Sequence, residues 1–299
     1  MKGGRFNVKI YDTHCDIFDN LFRKYRNGVG DPFLTDHLSS LRKGEIAGGI
    51  WVIYSESDFD FVSAYQDALK VYAPYEDKFS VIKGLEGLRN VKDLATLDKL
   101  YQMGIRHASL TWNEANHLAG GVKGPKEVGL SALGKTFIAY MNEKKMIVDV
   151  SHLNEKSFYD VLSERPRLLI ASHSNSRSLS EHPRNLTDHQ LKALQEAGGM
   201  IGAVAARRFV SLDPLKQNIK GLVDQIEYLI NIMGEDHVML GLDMMDFLPG
   251  YVNDNLDDLR SHGDAQGIVK EMFQRGFSET LVKKISHQNF EKLLQRSLL

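Results

Sequence analysis

Six side chains of the kinds that bind metal ions occur where predicted β-strands of this sequence end. His14 and Asp16 are two residues apart after the first predicted strand, and alternate residues of an extended chain project to the same side. An imidazole and a carboxylate can therefore face one divalent cation. Four later strands each deliver a similar side chain at the equivalent place, namely Glu86, His152, His173 and Asp243.

Each of these residues also has an ordinary structural interpretation. A lone histidine after a strand is typical of a hydrogen-bonded turn, Glu86 lies in a glycine-flanked turn that solvent would cover, and Asp243 could be the N-cap of a following helix. Together, however, three histidines and three carboxylates at one rim would crowd polar groups that repel one another. Bound cations relieve that repulsion, so the set predicts a metal centre.

The number of ligand-type groups favours two metal ions over one. A catalytic zinc takes about three protein ligands plus water. A pair of cations that share one bridging carboxylate would use the whole set. Two ions roughly 3.5–4 Å apart can share a hydroxide, lower the pKa of its parent water and polarise a carbonyl oxygen. This chemistry is best suited to hydrolysis of an amide or related acyl bond.

The elements that must position these side chains alternate along the chain. Eight apolar runs typical of strands occur at residues 7–11, 48–54, 79–84, 105–111, 146–151, 167–172, 200–204 and 238–242. Helical periodicity occupies residues 58–72, 91–103, 131–144, 155–163, 187–197 and 214–233. This alternation predicts a parallel sheet, and eight units predict a closed (β/α)8 (TIM) barrel whose functional groups lie at the C-terminal ends of the strands. A doubly wound sheet competes, but no Gly-x-Gly-x-x-Gly follows the first strand.

Composition narrows the class of protein. The 299 residues are 42% hydrophobic and 25% charged with a formal net charge of −2, so no basic field predicts binding to nucleic acid or an anionic membrane. We expect one barrel domain over residues 1–299, with helices at 268–275 and 278–298 covering the last strand or the bottom of the barrel. Residues 1–7 lack the apolar core of a signal peptide and no run approaches a membrane span, which predicts a cytoplasmic protein.

The remaining histidines and the single cysteine are not predicted as ligands. Cys15 lies between His14 and Asp16 and should point the opposite way. His107 lies inside a strand, and His117 follows that strand closely enough to contact a substrate. His37, His189, His262 and His287 occur in polar surroundings and are predicted to be exposed.

With these residues in view, the chain resembles the membrane dipeptidase (renal dipeptidase) family of binuclear zinc peptidases, as a soluble bacterial-type member. The resemblance covers most of the chain, from residue 12 to about residue 246. It rests on DTHCD at residues 12–16, LEG at 85–87, LTWN at 110–113, LAGG at 118–121, IVDVSHL at 147–153, ASHSN at 171–175, HPRNL at 182–186 and GLD at 241–243.

The resemblance implies a metal-dependent hydrolase with a (β/α)8 barrel, usually a homodimer, that cleaves dipeptides and tolerates a D-residue at the C-terminal side. Carried over residue by residue, it implies that His14, Asp16 and Glu86 hold one Zn²⁺. Glu86 would bridge to a second Zn²⁺ held by His152 and His173.

The resemblance also assigns roles outside the metal ligands. Asp243 matches the residue that moves a proton from the attacking water to the leaving amine. Arg184 matches the residue that binds the free C-terminal carboxylate of the substrate. Trp112 occupies the position at which mammalian members carry a substrate-contacting histidine, so this wall of the pocket differs. After Asp243 the sequence continues Met-Met-Asp, whereas the family often has Phe-Asp-Gly.

Two alternatives stay open. A metal-dependent amidohydrolase acting on cyclic amides or nucleobases has a similar site but usually opens with His-x-His and often uses a carboxylated lysine as the bridge. Asp16 and Glu86 at those positions favour the dipeptidase. A barrel that serves only as a binding or assembly module would hold no metal, and the full ligand set disfavours it.

Overall fold

The structure, a computed structural model, describes residues 7–55 and 57–298. The prediction that the chain has no signal peptide rests on residues 1–7. Of these, residues 1–6 lie outside the described part of the chain. Within it, eight parallel strands form one closed barrel in which each strand pairs with its neighbours in sequence and the last pairs with the first. The strands are β1 (Ile10–Cys15), β2 (Ile46–Tyr54), β3 (Ser80–Glu86), β4 (Ile105–Ser109), β5 (Ile147–Asp149), β6 (Leu169–Ala171), β7 (Met200–Ala203) and β8 (Val238–Leu240). The predicted (β/α)8 barrel is therefore confirmed.

Helices follow the strands and cover the outside of the barrel. In the described part of the chain they are α1 (Ile17–Arg26), α2 (Leu38–Lys43), α3 (Phe61–Tyr72), α4 (Leu94–Gln102), α5 (Ala132–Glu143), α6 (Glu155–Ser163), α7 (Asp188–Glu196), α8 (Arg207–Val210), α9 (Ile219–Met233), α10 (Gln266–Gln274), α11 (Glu279–Lys283) and α12 (Asn289–Leu298). None of these described helices has the length and apolar character needed to cross a membrane.

The apolar core has two parts, one outside the strands and one inside the barrel. The larger packs between the strands and the helices, and it contains Phe18, Trp51 and Phe137. The smaller fills the lower barrel interior with side chains that are mostly β-branched or long, such as Ile50, Ile82, Ile170 and Met239. Because this interior is packed with apolar groups, polar chemistry is confined to the upper, C-terminal end of the strands.

The last helix, α12, covers the bottom of the barrel, as the sequence predicted for the C-terminal helices, whereas α10 packs on α9. Phe290 at the start of α12 stacks on Tyr11 with ring centroids 4.6 Å apart, and both belong to the interior cluster. Asn289 donates hydrogen bonds to the carbonyls of Glu235 and Val238, at distances of 2.8 and 2.9 Å. The last helix therefore holds the start of β8 in place.

Two strand boundaries differ from the prediction in a way that matters for the site. β1 spans Ile10–Cys15 instead of residues 7–11, so His14 lies within the strand and not in the loop after it. β3 extends to Glu86, two residues beyond the predicted end at residue 84. Pairing with β2 continues to the last residue of β3. The residues of one strand do not reveal how far its partner strand extends the pairing, so this boundary could not be predicted from the apolar run alone.

Candidate metal and substrate site

The predicted site residues converge at the C-terminal end of the barrel. A cleft of about 720 Å³ is lined there by Asp16, Glu86, Trp112, His152, Arg184 and Asp243. His14 and His173 lie beneath it, each only 1% exposed. All eight residues singled out from the sequence are therefore grouped around one cleft, although they come from seven different parts of the chain.

Glu86 occupies the centre of this group. One carboxylate oxygen, Oε1, lies 2.6 Å from His152 Nε2 and 3.5 Å from His173 Nε2. The other, Oε2, lies 3.6 Å from His14 Nε2. One carboxylate thus faces histidines on two sides, which is the arrangement expected of a group that bridges two cations.

The donor atoms form two overlapping sets that suit divalent cations. His14, Asp16 and Glu86 form one set, and Glu86, His152 and His173 form the other, with the donor atoms of each set within 4.8 Å of one another. Imidazole nitrogens and carboxylate oxygens are ligands that zinc and similar ions accept. The residues present therefore fit a metal pair.

Unpaired buried atoms support this fit. The Nε2 of His14 and the Oδ1 of Asp16 are buried and have no hydrogen-bond partner among the described residues. Asp16 stands at the N-cap position of α1, yet its side chain makes no capping hydrogen bond. An aspartate there normally accepts a backbone N–H. Its carboxylate is instead left available to a cation.

The charges in the cluster depend on one another. Burial lowers the pKa of His14, but the carboxylates of Glu86, Asp243 and Asp16 outweigh it and raise that pKa to about 10. Burial acts against the ionised form of Glu86, while His14 and His152 hold its pKa well below the usual range. For Asp16, burial and the charge of Glu86 raise the pKa well above its usual value. The carboxylates repel one another in the absence of a cation.

Asp243 follows β8 and faces His14. Its Oδ1 lies 3.9 Å from His14 Nε2, and its backbone N–H donates to the His14 carbonyl at 3.2 Å. Burial and the charge of Glu86 raise the pKa of Asp243 to about 6, against the lowering effect of His14 and Arg184. No helix of the described chain begins at this residue, so its alternative interpretation as an N-cap is wrong.

His152 is oriented by a residue that the sequence did not identify as functional. Its Nδ1 lies 3.0 Å from Asn113 Oδ1, in the loop after β4, which leaves Nε2 directed at Glu86. Burial and the charge of Arg184 lower the pKa of His152 to about 4. Neutral imidazole is the form that binds a metal. Asn113 was visible only as a polar residue after a strand.

Two further buried residues were also missed as functional groups. Asp149 lies in β5 and Ser172 directly after β6, and both are fully buried. Burial acts against the ionised form of Asp149, yet the hydrogen bond and charge of His107 hold its pKa below the usual range. The Ser172 hydroxyl touches Asp149 and two of the central histidines. In the sequence, Asp149 and Ser172 stand out only as neighbours of the two histidines, in the patterns DxSH and SHS.

Arg184 and Trp112 lie on the walls of the cleft. Arg184 is 6% exposed, its Nη2 donates to the His173 carbonyl at 3.4 Å, and its guanidinium lies 5.5 Å from the Phe209 ring centroid. Burial lowers its pKa to about 10, so it stays cationic at neutral pH. Trp112 lies 6.1 Å from the His152 ring and 6.0 Å from the Tyr54 ring. Both residues can contact a ligand in the cleft.

The predictions for the other histidines were partly wrong. His37 and His262 were expected to be exposed, but each is only 2% exposed. The Nε2 of His262 donates to Asp12 Oδ2 at 2.8 Å, a contact between residues 250 positions apart. His117 binds the Val91 carbonyl through Nε2 at 3.0 Å and is absent from the lining of the main cleft.

Cys15 belongs to a different environment from its two neighbours. It is buried in the outer apolar layer, while His14 and Asp16 face Glu86. Asp12, Cys15 and His262 form another possible metal-binding group. There Asp12 already accepts hydrogen bonds from His262 and from the backbone N–H groups of His14 and Leu242, so this group is satisfied without an ion.

Comparison with protein families gives a match over most of the chain. A model of the membrane dipeptidase family (peptidase family M19) matches residues 56–297. A protein of Klebsiella pneumoniae, called an uncharacterized protein in the pqqA 5' region, is 34% identical over 67% of this chain and 74% of its own length. The dipeptidase tcpJ of Claviceps purpurea is 29% identical over 93% of this chain, which spans 65% of that relative.

Solved structures share the fold. A metallo peptidase from Rhodobacter sphaeroides, liganded with a phosphinate mimic of the dipeptide L-Ala-D-Ala, has a TM-score of 0.81 at 24% identity over 97% of this chain and 99% of its own. An amidohydrolase from Pseudomonas aeruginosa has a TM-score of 0.82 at 21% identity, with 97% of both chains covered. At these identities the likeness is one of fold alone.

Proposed function

The chain belongs to the membrane dipeptidase family, and on that basis we propose that it is a metal-dependent dipeptidase that hydrolyses the peptide bond of dipeptides. We further propose that it tolerates a D-residue at the C-terminal side. The mimic of L-Ala-D-Ala bound to the Rhodobacter sphaeroides protein supports this choice of substrate class.

The observation that carries the proposal is the position of Glu86. Its two carboxylate oxygens face His152 and His173 on one side and His14 on the other, at 2.6, 3.5 and 3.6 Å. Each of the two predicted donor sets thus includes this one carboxylate. A cyclic-amide amidohydrolase often bridges its metals with a carboxylated lysine, whereas glutamate stands at the bridging position here.

Two Zn²⁺ ions per subunit fit the donor set best. His14, Asp16 and Glu86 would hold the first, and Glu86, His152 and His173 the second. Bound there, such ions supply two kinds of chemistry, the acidification of a water molecule and the polarisation of the scissile carbonyl. Glu86 would be the one protein group common to both ions.

The protein's own residues would bind the dipeptide and move the proton. Asp243 lies at the edge of the donor set, with its Oδ1 3.9 Å from His14 Nε2, so its carboxylate is placed to accept a proton from the attacking water and return it to the leaving amine. The buried cation Arg184 is placed to bind the C-terminal carboxylate. Trp112 supplies a flat apolar wall beside His152 in place of a polar side chain.

A dipeptide panel combined with metal analysis tests the proposal. We expect about two equivalents of Zn²⁺ or a similar ion, and turnover of L,L- and L,D-dipeptides. Hydantoin- and dihydroorotate-like amides serve as the comparison. Turnover of the cyclic amides alone would favour the amidohydrolase, and a protein that binds no metal and hydrolyses neither class would support a binding module.

Assembly, domain organisation and location remain predictions from the sequence. We propose a homodimer, a single domain over residues 1–299 and a cytoplasmic location, and no binding of nucleic acid or membrane. Sedimentation of the purified protein tests the dimer, because a monomer at working concentration contradicts it.

A further inference from the structure

One buried hydroxyl contacts both halves of the proposed metal centre. Ser172 Oγ lies 2.7 Å from His173 Nδ1 and 3.3 Å from His14 Nδ1. It also lies 2.5 Å from Asp149 Oδ2 and 3.5 Å from Ser151 Oγ. These contacts use the Nδ1 atoms of the two histidines, while their Nε2 atoms face Glu86.

The surroundings of Asp149 fix the direction of these hydrogen bonds. Its Oδ1 accepts the backbone N–H groups of Ser151 and Ser172, at 2.9 and 3.0 Å. Its Oδ2 faces His107 Nε2 at 3.2 Å and the Ser172 hydroxyl. A carboxylate only accepts hydrogen bonds, so Ser172 donates its single proton to Asp149.

The remaining lone pairs of the Ser172 oxygen then face His14 and His173. Both rings must carry their proton on Nδ1 to make these contacts, which leaves each Nε2 with its lone pair directed at the centre. Partners of this kind, on the far side of a metal-binding histidine, orient the ring and set its tautomer. Here the same atom does so for two rings assigned to different cations.

We propose that Ser172 is a shared positioning residue that holds His14 and His173 in the metal-binding tautomer, with Asp149 and His107 anchoring its hydroxyl. This inference rests on the proposed function, because it takes both histidines as ligands. It goes beyond that function by making the two metal sites depend on one hydroxyl. Loss of that hydroxyl should therefore weaken the binding of both ions.

A merely structural role for Ser172 makes a different prediction. Its backbone carbonyl accepts the Thr13 hydroxyl at 2.7 Å, and its backbone N–H binds Asp149. Alanine keeps both contacts and removes only the hydroxyl. If the residue serves the fold alone, Ser172→Ala should change stability without changing the tautomers or the metal affinity.

The test compares Ser172→Ala with Ser174→Ala. Ser174 is buried two residues further on, and its Oγ has no hydrogen-bond partner in the described chain. Zn²⁺ affinity is measured by competition with a chromophoric chelator, and ring tautomers by ¹⁵N NMR of histidine-labelled, Zn²⁺-loaded protein. For Ser172→Ala we expect roughly 10–100-fold weaker binding of both ions. The Ser174→Ala protein should match the wild type.

The outcomes separate this inference from the proposed function. Wild-type protein that binds no Zn²⁺ contradicts the proposed function itself. If the wild type binds two ions and Ser172→Ala binds them with the same affinity, the positioning role is overturned. It is also overturned if Ser172→Ala binds only one of the two ions more weakly. If Ser172→Ala does not fold, the wild-type spectrum decides: the Nδ1 protons of both rings should be hydrogen-bonded and protected from exchange, and free exchange of either contradicts the proposal.

Discussion

At the scale of single residues, two of the proposed functional groups have a backbone conformation that their residue types rarely adopt. His152 has φ 70° and Asp243 has φ 54°, both in the left-handed region. Such conformations cost on the order of 1–3 kcal/mol and persist where the surroundings enforce them. Both residues turn their side chains into the cleft directly after a strand. Glu45, Lys145 and Arg165 share this conformation just after helices, so what distinguishes His152 and Asp243 is that they line the cleft.

The role of Asp243 leads to the first prediction. Asp243→Asn should keep both metal ions, because the two donor sets do not include it, and should lose turnover by 100-fold or more, because general acid–base catalysis typically contributes about 10²–10⁴-fold. Metal content and kcat are the measurements. Asp246→Asn, three residues on and outside the cleft lining, is the matched control and should stay active. Full activity of Asp243→Asn contradicts the proton-transfer role.

Arg184 leads to a second prediction at this scale. Arg184→Lys keeps a positive charge but loses the planar pair of N–H donors that matches a carboxylate. We expect KM for dipeptides to rise about 10-fold with a smaller change in kcat, since a charge-assisted contact is worth about 1.5–3 kcal/mol. Dipeptides with an amidated C-terminus should be affected much less. Arg208→Lys, an exposed residue of the same cleft, is the control variant. Equal effects on both substrate classes would reject the carboxylate contact.

A functional residue could be predicted from the sequence where its position depends on the residues next to it in the chain. His14, Glu86 and His173 follow or end apolar runs, so their place at the rim could be derived without a structure. The burial of His262 could not, because its partner Asp12 is 250 residues away in sequence. Nor could the contact of Asn113 with His152, which depends on the path of the loop after β4.

At the scale of elements, the upper ends of β1, β6, β7 and β8 meet in very close contact. Thr13 in β1 donates its hydroxyl to the carbonyls of Ser172 and Leu240, at 2.7 and 3.0 Å. Gly202 in β7 and Gly241 after β8 lie against the same atoms, and a Cβ on Gly241 would lie 1.8 Å from the Ser172 carbonyl oxygen. Glycine is required at these positions because backbone occupies the space of a side chain.

This close approach predicts a large effect of a small substitution. Gly241→Ala should destabilise the protein by about 3 kcal/mol, at the upper end of overpacking effects, because the added methyl meets backbone that cannot rotate away. Gly30→Ala is the control, since a Cβ there would have no atom within 4 Å and the residue is not in the left-handed region. Urea unfolding monitored by circular dichroism gives both values. A change below about 0.5 kcal/mol for Gly241→Ala would contradict the packing argument.

The loops above the barrel show where element prediction from sequence fails. The segment between β8 and α10 is mostly irregular, with a short 3-10 helix at His262–Asp264, and Asn255 holds its first part in place. The Nδ2 of that side chain donates to the Asp243 carbonyl at 2.9 Å, and its Oδ1 accepts the Met245 N–H at 2.8 Å. Two hydrogen bonds to backbone therefore hold the strained turn at Asp243. Polar residues that act in this way are indistinguishable from solvated loop residues in a sequence.

At the scale of the whole molecule, the barrel could be predicted because its rules are repetitive. Eight apolar runs, each separated by a helix-length segment, leave few topologies other than a closed parallel barrel. The order β1 to β8 then follows from neighbours in sequence pairing in space. The exact strand bounds did not follow, because β1 and β3 are extended by pairing with β2 and not by their own composition.

The metal centre should also contribute to the stability of the whole barrel, because its ligands come from β1, β3 and the ends of β5 and β6. Buried carboxylates at Asp16 and Glu86 repel each other without a cation, so removal of the metals should lower Tm as well as abolish turnover. A ligand present at 100 to 1,000 times its Kd stabilises by about 2.7 to 4.1 kcal/mol, which corresponds to a rise in Tm of about 4–7 °C for a chain of this size. Thermal unfolding before and after dialysis against a chelator measures the shift, and re-addition of Zn²⁺ should restore it. Glu86→Gln, which lacks the bridging carboxylate, should show little response to the chelator. An active wild-type protein whose Tm does not change on metal removal would show that the centre contributes nothing to the barrel's stability.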